Sequence, residues 1–324
     1  MRALVLGANG FIGGHIVKAA LDAEWSVRAL RRSKDRVGVV GDAPVEWVEG
    51  DLDSPSGLVT IFQGIDVVFH AAGYYPHDSK NVSSQVAHSV QQITGVLRLM
   101  REGPVNRLVY TSSFTTMVPP LADKREVINE QDHYPPGMLA RSAYYECKVA
   151  MERALLTKAA EDLSVVIMNP TMVLGPGGMP RSTQALFLAI AHGWGRVWLP
   201  ARINIVDVRD VAQAHLKAAE MGQAGERYLL GGHNLELRQL MQEIAKLYRV
   251  KGPSLRLPWA LIDLLVWMED HLPGVNVFAN HLRAIRFWPY VSVEKAEREL
   301  DYMIRPLQET LVDMYKSYQN SGYL

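Results

Sequence analysis

The sequence predicts an α/β protein: a parallel, doubly wound sheet followed by a smaller C-terminal lobe. Three observations predict it. Short apolar runs alternate with helix-like stretches through the first half, a glycine-rich turn joins the first run to the first helix, and the rhythm breaks after Pro170. Strands that alternate with helices pair in parallel, and such a sheet needs helices on both faces.

The elements follow in order. "RALVLG" (2–7) is a short apolar run and "FIGGHIVKAALDA" (11–23) is helix-like. "SVRAL" (26–30) and "VEWVEG" (45–50) read as further strands, as do "GIDVVFHAA" (64–72), "NRLVYTSS" (106–113) and "LSVVIMNP" (163–170). Helices are expected over 83–100 and 143–161. After Pro170, Gly, Pro and Trp become frequent, as in "GPGGMPRST" and "HGWGRVWLP". "INIVDVRDVAQAHLKAAE" (203–220) looks like a strand and helix that return to the sheet.

Composition bounds the function. The 324 residues are 48% hydrophobic and 21% charged, enough to bury a sizeable core. Lys plus Arg equals Asp plus Glu at 34 each, a balance that favours no nucleic-acid partner. The single cysteine, Cys147, excludes an intramolecular disulfide and a cysteine metal cluster, and no metal site is expected. "MRALVLGANG" enters a strand at the second residue, so a cytoplasmic protein without a leader is expected. The longest apolar run, 258–268, is too short to span a bilayer and carries Asp263.

"VLGANGFIGGHIV" places Gly7, Gly10 and Gly13 at the end of the first strand. Glycines at this spacing allow a tight strand-to-helix turn, close backbone approach to a pyrophosphate, and close packing of helix on strand. The phosphates then meet the free N–H groups and the dipole of the helix N-terminus. In "GDLDS" (50–54), Asp51 and Leu52 fit either a solvated turn or a pair that flanks an adenine ring, and "FHAAG" (69–73) ends the fourth strand in small residues. "SAYYECKVAME" (142–152) sets Tyr144 four residues and Tyr145 three residues before Lys148. On a helix both spacings bring a phenol near the ammonium, so spacing alone leaves the two open.

In this order the glycine turn, "GDL", "HAAG", "YTSS", the tyrosine–lysine pair, "NPTMVLGPG" and "VDVRDVA" resemble an extended short-chain dehydrogenase/reductase of the NAD(P)-dependent epimerase/dehydratase superfamily. The resemblance covers nearly the whole chain and is closest to the dihydroflavonol-reductase-like and hopanoid-associated sugar-epimerase-like branches. It implies a Rossmann-type dinucleotide-binding part over 1–170, to which 203–220 returns, and a mostly substrate-binding lobe over 171–324, the two interleaved. It implies cofactor contacts from Gly7, Asn9, Gly10, Phe11, Ile12, Gly13, Asp51, Leu52, Ala71, Ala72, Tyr144, Lys148 and Pro170. The family's Tyr-x-x-x-Lys selects Tyr144 with Lys148, and alignment makes Ser113 the catalytic serine, with Ser112 the fallback. Tyr144 is then the proton donor or acceptor for a carbonyl or alcohol, its pKa lowered by Lys148, which also holds the nicotinamide ribose. Tyr145 packs or shapes the pocket.

One departure stands out. Many relatives carry an asparagine in the helix before the fifth strand, whereas 83–100 has none, which leaves Ser89, Gln91 or Gln92 for any polar role there. His77 lies in a loop and reads first as a solvated histidine, with substrate contact the alternative, while His70, His88, His192 and His215 show no metal spacing. Cys147 reads as a packed thiol. The apolar stretches 258–268 and 278–290 read as lobe core, a pocket for a bulky substrate, or a homodimer contact.

The leading function is therefore NAD(P)-dependent hydride transfer to or from a small molecule. The alternative is a nucleotide-sugar epimerase or dehydratase that reduces its cofactor transiently, with Arg181, Arg202 and Arg209 as candidate diphosphate clamps. The complete Ser-Tyr-Lys set argues against a non-catalytic dinucleotide sensor. Arg31 and Arg32 stand where NAD-preferring relatives carry an acidic residue, so NADP is the expected cofactor, with NAD possible.

Overall fold

A computed structural model describes residues 1–33, 38–55, 57–76, 81–119, 126–139, 142–159, 162–178, 185–272, 282 and 284–324. The strands in chain order are β1 (Arg2–Leu6), β2 (Ser26–Arg31), β3 (Glu46–Glu49), β4 (Val67–His70), β5 (Arg107–Thr111), β6 (Val127–Ile128) and β7 (Ser164–Pro170). They continue as β8 (Met172–Leu174), β9 (Val197–Trp198), β10 (Arg202–Asp207), β11 (Arg227–Leu230), β12 (His233–Glu236), β13 (Leu255–Arg256) and β14 (Tyr290–Val291). The helices used below are α1 (Phe11–Asp22), α2 (Val82–Glu102), α3 (Ala143–Ala159), α4 (Ala185–Ala191), α5 (Val208–Met221), α6 (Leu237–Tyr248) and α7 (Trp259–His271).

Seven strands form one parallel sheet in the order β11-β7-β5-β4-β1-β2-β3. Period-two alternation sends successive residues of each strand to opposite faces. Ala3 and Val5 of β1, Val67 and Phe69 of β4, and Val166 and Met168 of β7 join a core covered by α1 and α5. Leu4 and Leu6, Val68, and Val165 and Ile167 join a second core covered by α2 and α3. Both faces are apolar because both are buried, which is why the strands read as continuous apolar runs. The chain winds outward in both directions from the boundary between β1 and β4. At such a boundary the loops part and leave a crevice beyond the carboxyl ends of the strands.

The strands and helices expected over the first 170 residues all form, with shorter bounds for β4 and β5. The expectation for 203–220 needs correction. Its helix, α5, packs on the sheet beside α1, but its strand, β10, pairs with β8 and β12 in a separate three-stranded sheet. The strand that extends the main sheet is β11, parallel to β7. The small sheet, α4, α6 and the helix Leu307–Asn320 enclose a third core around Phe187, Ile203, Leu240, Ile244 and Met314.

Two histidines are fully enclosed in this framework. His70, at the end of β4, is 0% exposed and neither ring nitrogen has a hydrogen-bond partner among the described residues. His215 on α5 is also buried, held by Thr111 Oγ1 at 2.8 Å and Val211 O at 2.7 Å. Burial pushes His70 down to about 3 and His215 down to about 4. Both are neutral when folded and ordinary when unfolded, so the unfolded chain binds more protons between these values and about 6.5. Their contribution to stability is complete above pH ~6.5 and is lost as pH falls toward 4. His70→Leu should flatten the fall of the thermal midpoint between pH 6.5 and 4. An unchanged slope would show that His70 titrates normally in the native state.

Candidate active site

The crevice begins where β1 meets α1. Gly7 has φ +87°, in the left-handed region, and a Cβ there would lie 2.9 Å from Ala72 Cβ. The carboxyl ends of β1 and β4 therefore touch through glycine and alanine alone. Gly10 caps α1 without a side-chain hydrogen bond, and the first turn holds no acidic residue. The free N–H groups and dipole of this turn suit an anion. A Cβ on Gly13 would come within 2.2 Å of Gly7 O, so only glycine lets the helix pack this closely. The donor set and the bare turn fit a dinucleotide pyrophosphate.

The other expected cofactor residues differ in burial and contacts. Asn9, Phe11, Ile12, Ala71 and Ala72 are half-buried, and Pro170 is buried at the end of β7. Leu52 is buried in the second core, and Asp51 accepts a hydrogen bond from Asp53 N at 3.0 Å. Arg31 lies 4.8 Å over the Trp47 ring and 3.7 Å from Glu49, while Arg32 is exposed. Sequence reading missed Val39, which lies against both Gly14 and Gly177. A Cβ on either glycine would come within 2.2 and 2.1 Å of it, so the segment after β2 and the loop after β8 meet beside α1.

Helix α3 carries Tyr144 and Lys148 one turn apart. Lys148 is buried, and its Nζ donates to Thr111 O at 3.4 Å. Nζ stands 5.6 Å from the Tyr110 ring centre and 6.0 Å from that of Tyr144. A Cβ on Gly73 would be 3.0 Å from Nζ, so the small residue after β4 makes room for the ammonium. The Tyr144 hydroxyl is hydrogen-bonded to Ser113. Ser112 is also buried, but its Oγ has no partner among the described residues. The structure thus brings Ser113, not Ser112, to Tyr144.

The electrostatics correct one expectation. Tyr144 is raised, not lowered: burial dominates, the hydrogen bond to Ser113 opposes it, and Tyr75 adds to the rise. At 6.0 Å from the ring, Lys148 does not offset the cost of burying a phenolate. Lys148 itself is pushed down to about 8 by burial, against the pull of Glu152 and Cys147.

Tyr145 points elsewhere. It is 3% exposed, accepts a hydrogen bond from Trp288 Nε1 at 2.8 Å, and packs on Tyr134. Of the three candidates on α2, Ser89 faces the core and is hydrogen-bonded to Cys147, Gln91 is exposed, and Gln92 donates to Asp53 at 2.7 Å. Cys147 is buried between α2 and α3. His88 lies 3.2 Å from Asp53 and His192 is exposed. Arg209 is bound by Asp207 and Asp313, each at 2.7 Å, and Arg202 by Glu126 at 2.8 Å. His77 and Arg181 lie outside the described residues.

The chain matches the NAD dependent epimerase/dehydratase family over residues 3–231. It belongs to that family, and is an NAD(P)-dependent oxidoreductase of the extended short-chain dehydrogenase/reductase type. It is 29% identical to sterol demethylase protein B of Methylococcus capsulatus, over 84% of this chain and 82% of that one. It is 26% identical to cinnamoyl-CoA reductase 1 of Arabidopsis thaliana, over 99% and 90%. Its fold is similar to that of a nucleoside-diphosphate-sugar epimerase from Pseudomonas aeruginosa, with TM-score 0.83 and 24% identity over 100% and 99% of the chains. Among the described residues, no helix is long and apolar enough to cross a membrane, and no group of three His, Cys, Asp or Glu could hold a metal ion.

Gly13→Ala tests the glycine turn. The added carbon meets backbone, which must shift, at a cost of about 1–3 kcal/mol. Dinucleotide affinity, followed by quenching of protein fluorescence, should fall as the turn opens. Gly95→Ala on α2, where nothing lies within 4 Å of the new Cβ, should leave affinity unchanged and stability equal or higher. Equal affinity in both variants would overturn this placement of the pyrophosphate.

Proposed function

We propose that the protein reduces the carbonyl of a flat, apolar or aromatic small molecule with NADPH, and that Ser113, Tyr144 and Lys148 carry the reaction. The observation that carries this reading is the hydrogen-bonded Ser113–Tyr144 pair set among aromatic rings. The Tyr75 ring centre lies 4.9 Å from that of Tyr144, and Phe114 meets Trp288 edge-on at 5.1 Å. Such faces favour a planar apolar substrate over a sugar.

When bound, the nicotinamide supplies the hydride. The protein does the rest. Ser113 Oγ and Tyr144 Oη converge on the substrate oxygen and orient the carbonyl. Burial keeps Tyr144 a neutral phenol, the form that can donate its proton to the developing alkoxide. The Lys148 ammonium lies behind the phenol, where its donors suit the ribose hydroxyls.

The epimerase alternative calls for cations free to clamp a diphosphate. Of the three candidate clamps, Arg202 and Arg209 are engaged by carboxylates and Arg181 lies outside the described residues. Among carbonyls, a panel of aryl ketones and enals should give stoichiometric loss of NADPH absorbance, and nucleotide sugars should give none. Net-neutral turnover of a nucleotide sugar would establish the alternative. Tyr144→Phe should retain NADPH binding and lose at least ~10²-fold in turnover. Tyr145→Phe should lose much less, and a reversed order would show the helix register to be misassigned.

The NADP preference rests on Arg31 and Arg32 at the end of β2. Arg31 is held in place by Trp47 and shares its charge with Glu49, while Arg32 is exposed beside it. One charge-assisted bond to a 2′-phosphate contributes about 1.5–3 kcal/mol, a preference of roughly 10-fold or more. Replacing both arginines by alanine should erase most of it and leave NADH affinity nearly unchanged. Equal affinity of the wild type for NADH and NADPH at moderate salt would remove the assignment.

A further inference from the structure

Behind the Ser113–Tyr144 pair lies a buried polar network that has no part in the proton transfer just described. Glu152 stands on α3 one turn beyond Lys148 and is 5% exposed. Its Oε1 accepts from Thr116 Oγ1 at 2.9 Å and from Asn169 Nδ2 at 2.5 Å. Asn169 Nδ2 also donates to Ser113 O at 3.0 Å, while the single Thr116 hydroxyl hydrogen is shared between Glu152 and Ser113 O, which is also 3.0 Å away. The Ser113 carbonyl is therefore held by an amide that also binds the carboxylate, with the Thr116 hydroxyl lying between the two acceptors.

The carboxylate is itself fixed. Its Oε2 lies 3.6 Å from Arg227 Nη1, and that guanidinium is 12% exposed. Arg227 in turn donates to Glu130 O and Asp132 O. A buried carboxylate persists only when it is paired and hydrogen-bonded, and this one is both.

We propose that Glu152 is a positioning residue for the Ser113–Tyr144 pair, acting through Asn169 and Thr116 on the Ser113 backbone. The inference rests on the reading that Ser113 and Tyr144 perform the chemistry. The β5 end that carries Ser113 runs straight into a short helical turn, Phe114–Met117. Without a tether, Ser113 Oγ would be free to move away from Tyr144, and misplacement of about 1 Å can cost ~10²-fold.

The same carboxylate acts on Lys148 through space. The groups that face Lys148 are His70 and Tyr110 from the sheet, and Tyr144, Cys147 and Glu152 from its own helix. Burial favours the neutral form of His70, Tyr110, Tyr144 and Cys147, which leaves Glu152 as the anion that supports the ammonium near neutral pH.

Two variants separate geometry from charge. Glu152→Gln keeps an oxygen for Thr116 and Asn169 but removes the charge. Glu152→Ala removes both. The assay is NADPH consumption with the panel carbonyl that the wild type reduces fastest, run beside Tyr144→Phe. Glu152→Ala should lower kcat by about 10- to 100-fold with NADPH affinity retained. Glu152→Gln should keep most of kcat at pH 6.5 and move the alkaline limb of the kcat profile to lower pH, because Lys148 loses its proton earlier. Asn169→Ala should mimic the kcat loss of Glu152→Ala without moving the limb, and it carries the test of geometry if Glu152→Ala does not fold.

If Glu152→Ala and Asn169→Ala retain kcat while Tyr144→Phe is inactive, the positioning role is refuted and the active-site reading stands. Loss of kcat in step with loss of NADPH affinity and thermal stability would also refute it, since a structural role suffices. If Tyr144→Phe remains active, the active-site reading itself has failed.

Discussion

A buried ammonium organises the site. Lys148 is 6% exposed, yet its one hydrogen bond among the described residues is a long one, 3.4 Å to Thr111 O. Burying such a charge is costly unless it is paired, and the cost appears as a fall to about 8. The neighbours are arranged around that cost. Gly73 gives way to the Nζ atom, the rings of Tyr110 and Tyr144 turn their π-faces within 6.0 Å, and Glu152 adds a negative charge one turn along. None of them saturates its three donors. A cation held in this way is matched to hydroxyls supplied from the crevice, and it lies against Gly73, next in the chain to the Ala72 that touches Gly7.

That geometry depends on where the sheet changes direction. Gly7 and Ala72 touch because β1 and β4 are neighbours, and they are neighbours because the chain winds outward both ways from them. The bare N-terminus of α1 and the residues after β4 therefore face one crevice. Ser113 follows β5, the next strand out, and Pro170 ends β7 beyond it. The site collects residues far apart in sequence because carboxyl ends of parallel strands all emerge on one edge.

Much of this is legible in the sequence, and for physical reasons. A strand buried on both faces must be an apolar run, and the runs of β1, β4, β5 and β7 could be read as such. Gly7 and Gly13 announced a turn that no side chain fits. Partners of later strands could not be read, because β10 and β11 are runs of the same kind and their pairing is decided by tertiary contacts. Thus "INIVD" entered the small sheet while "RYLL" extended the large one. Helical spacing could not choose between Tyr144 and Tyr145. Rotation about the α3 axis chose, turning Tyr145 toward Trp288 and Tyr144 toward Ser113. Glu152 carried little signal in the sequence, because a glutamate on a helix ordinarily marks a solvated face. Its position four residues after Lys148 was the available signal.

The raised pKa of Tyr144 bears on the direction of the proposed reaction. Reduction of a carbonyl needs a phenol that holds its proton until the alkoxide forms, and burial provides that form across the neutral range. Oxidation of an alcohol needs the phenolate, which burial disfavours and which Lys148, 6.0 Å from the ring, offsets too little. The same desolvation that makes Tyr144 a poor base also strengthens its hydrogen bond to the developing charge once water is displaced. An acid poised well above neutral pH, beside a serine that fixes the oxygen, is therefore set for donation first. This asymmetry comes from the depth at which α3 sits against the sheet.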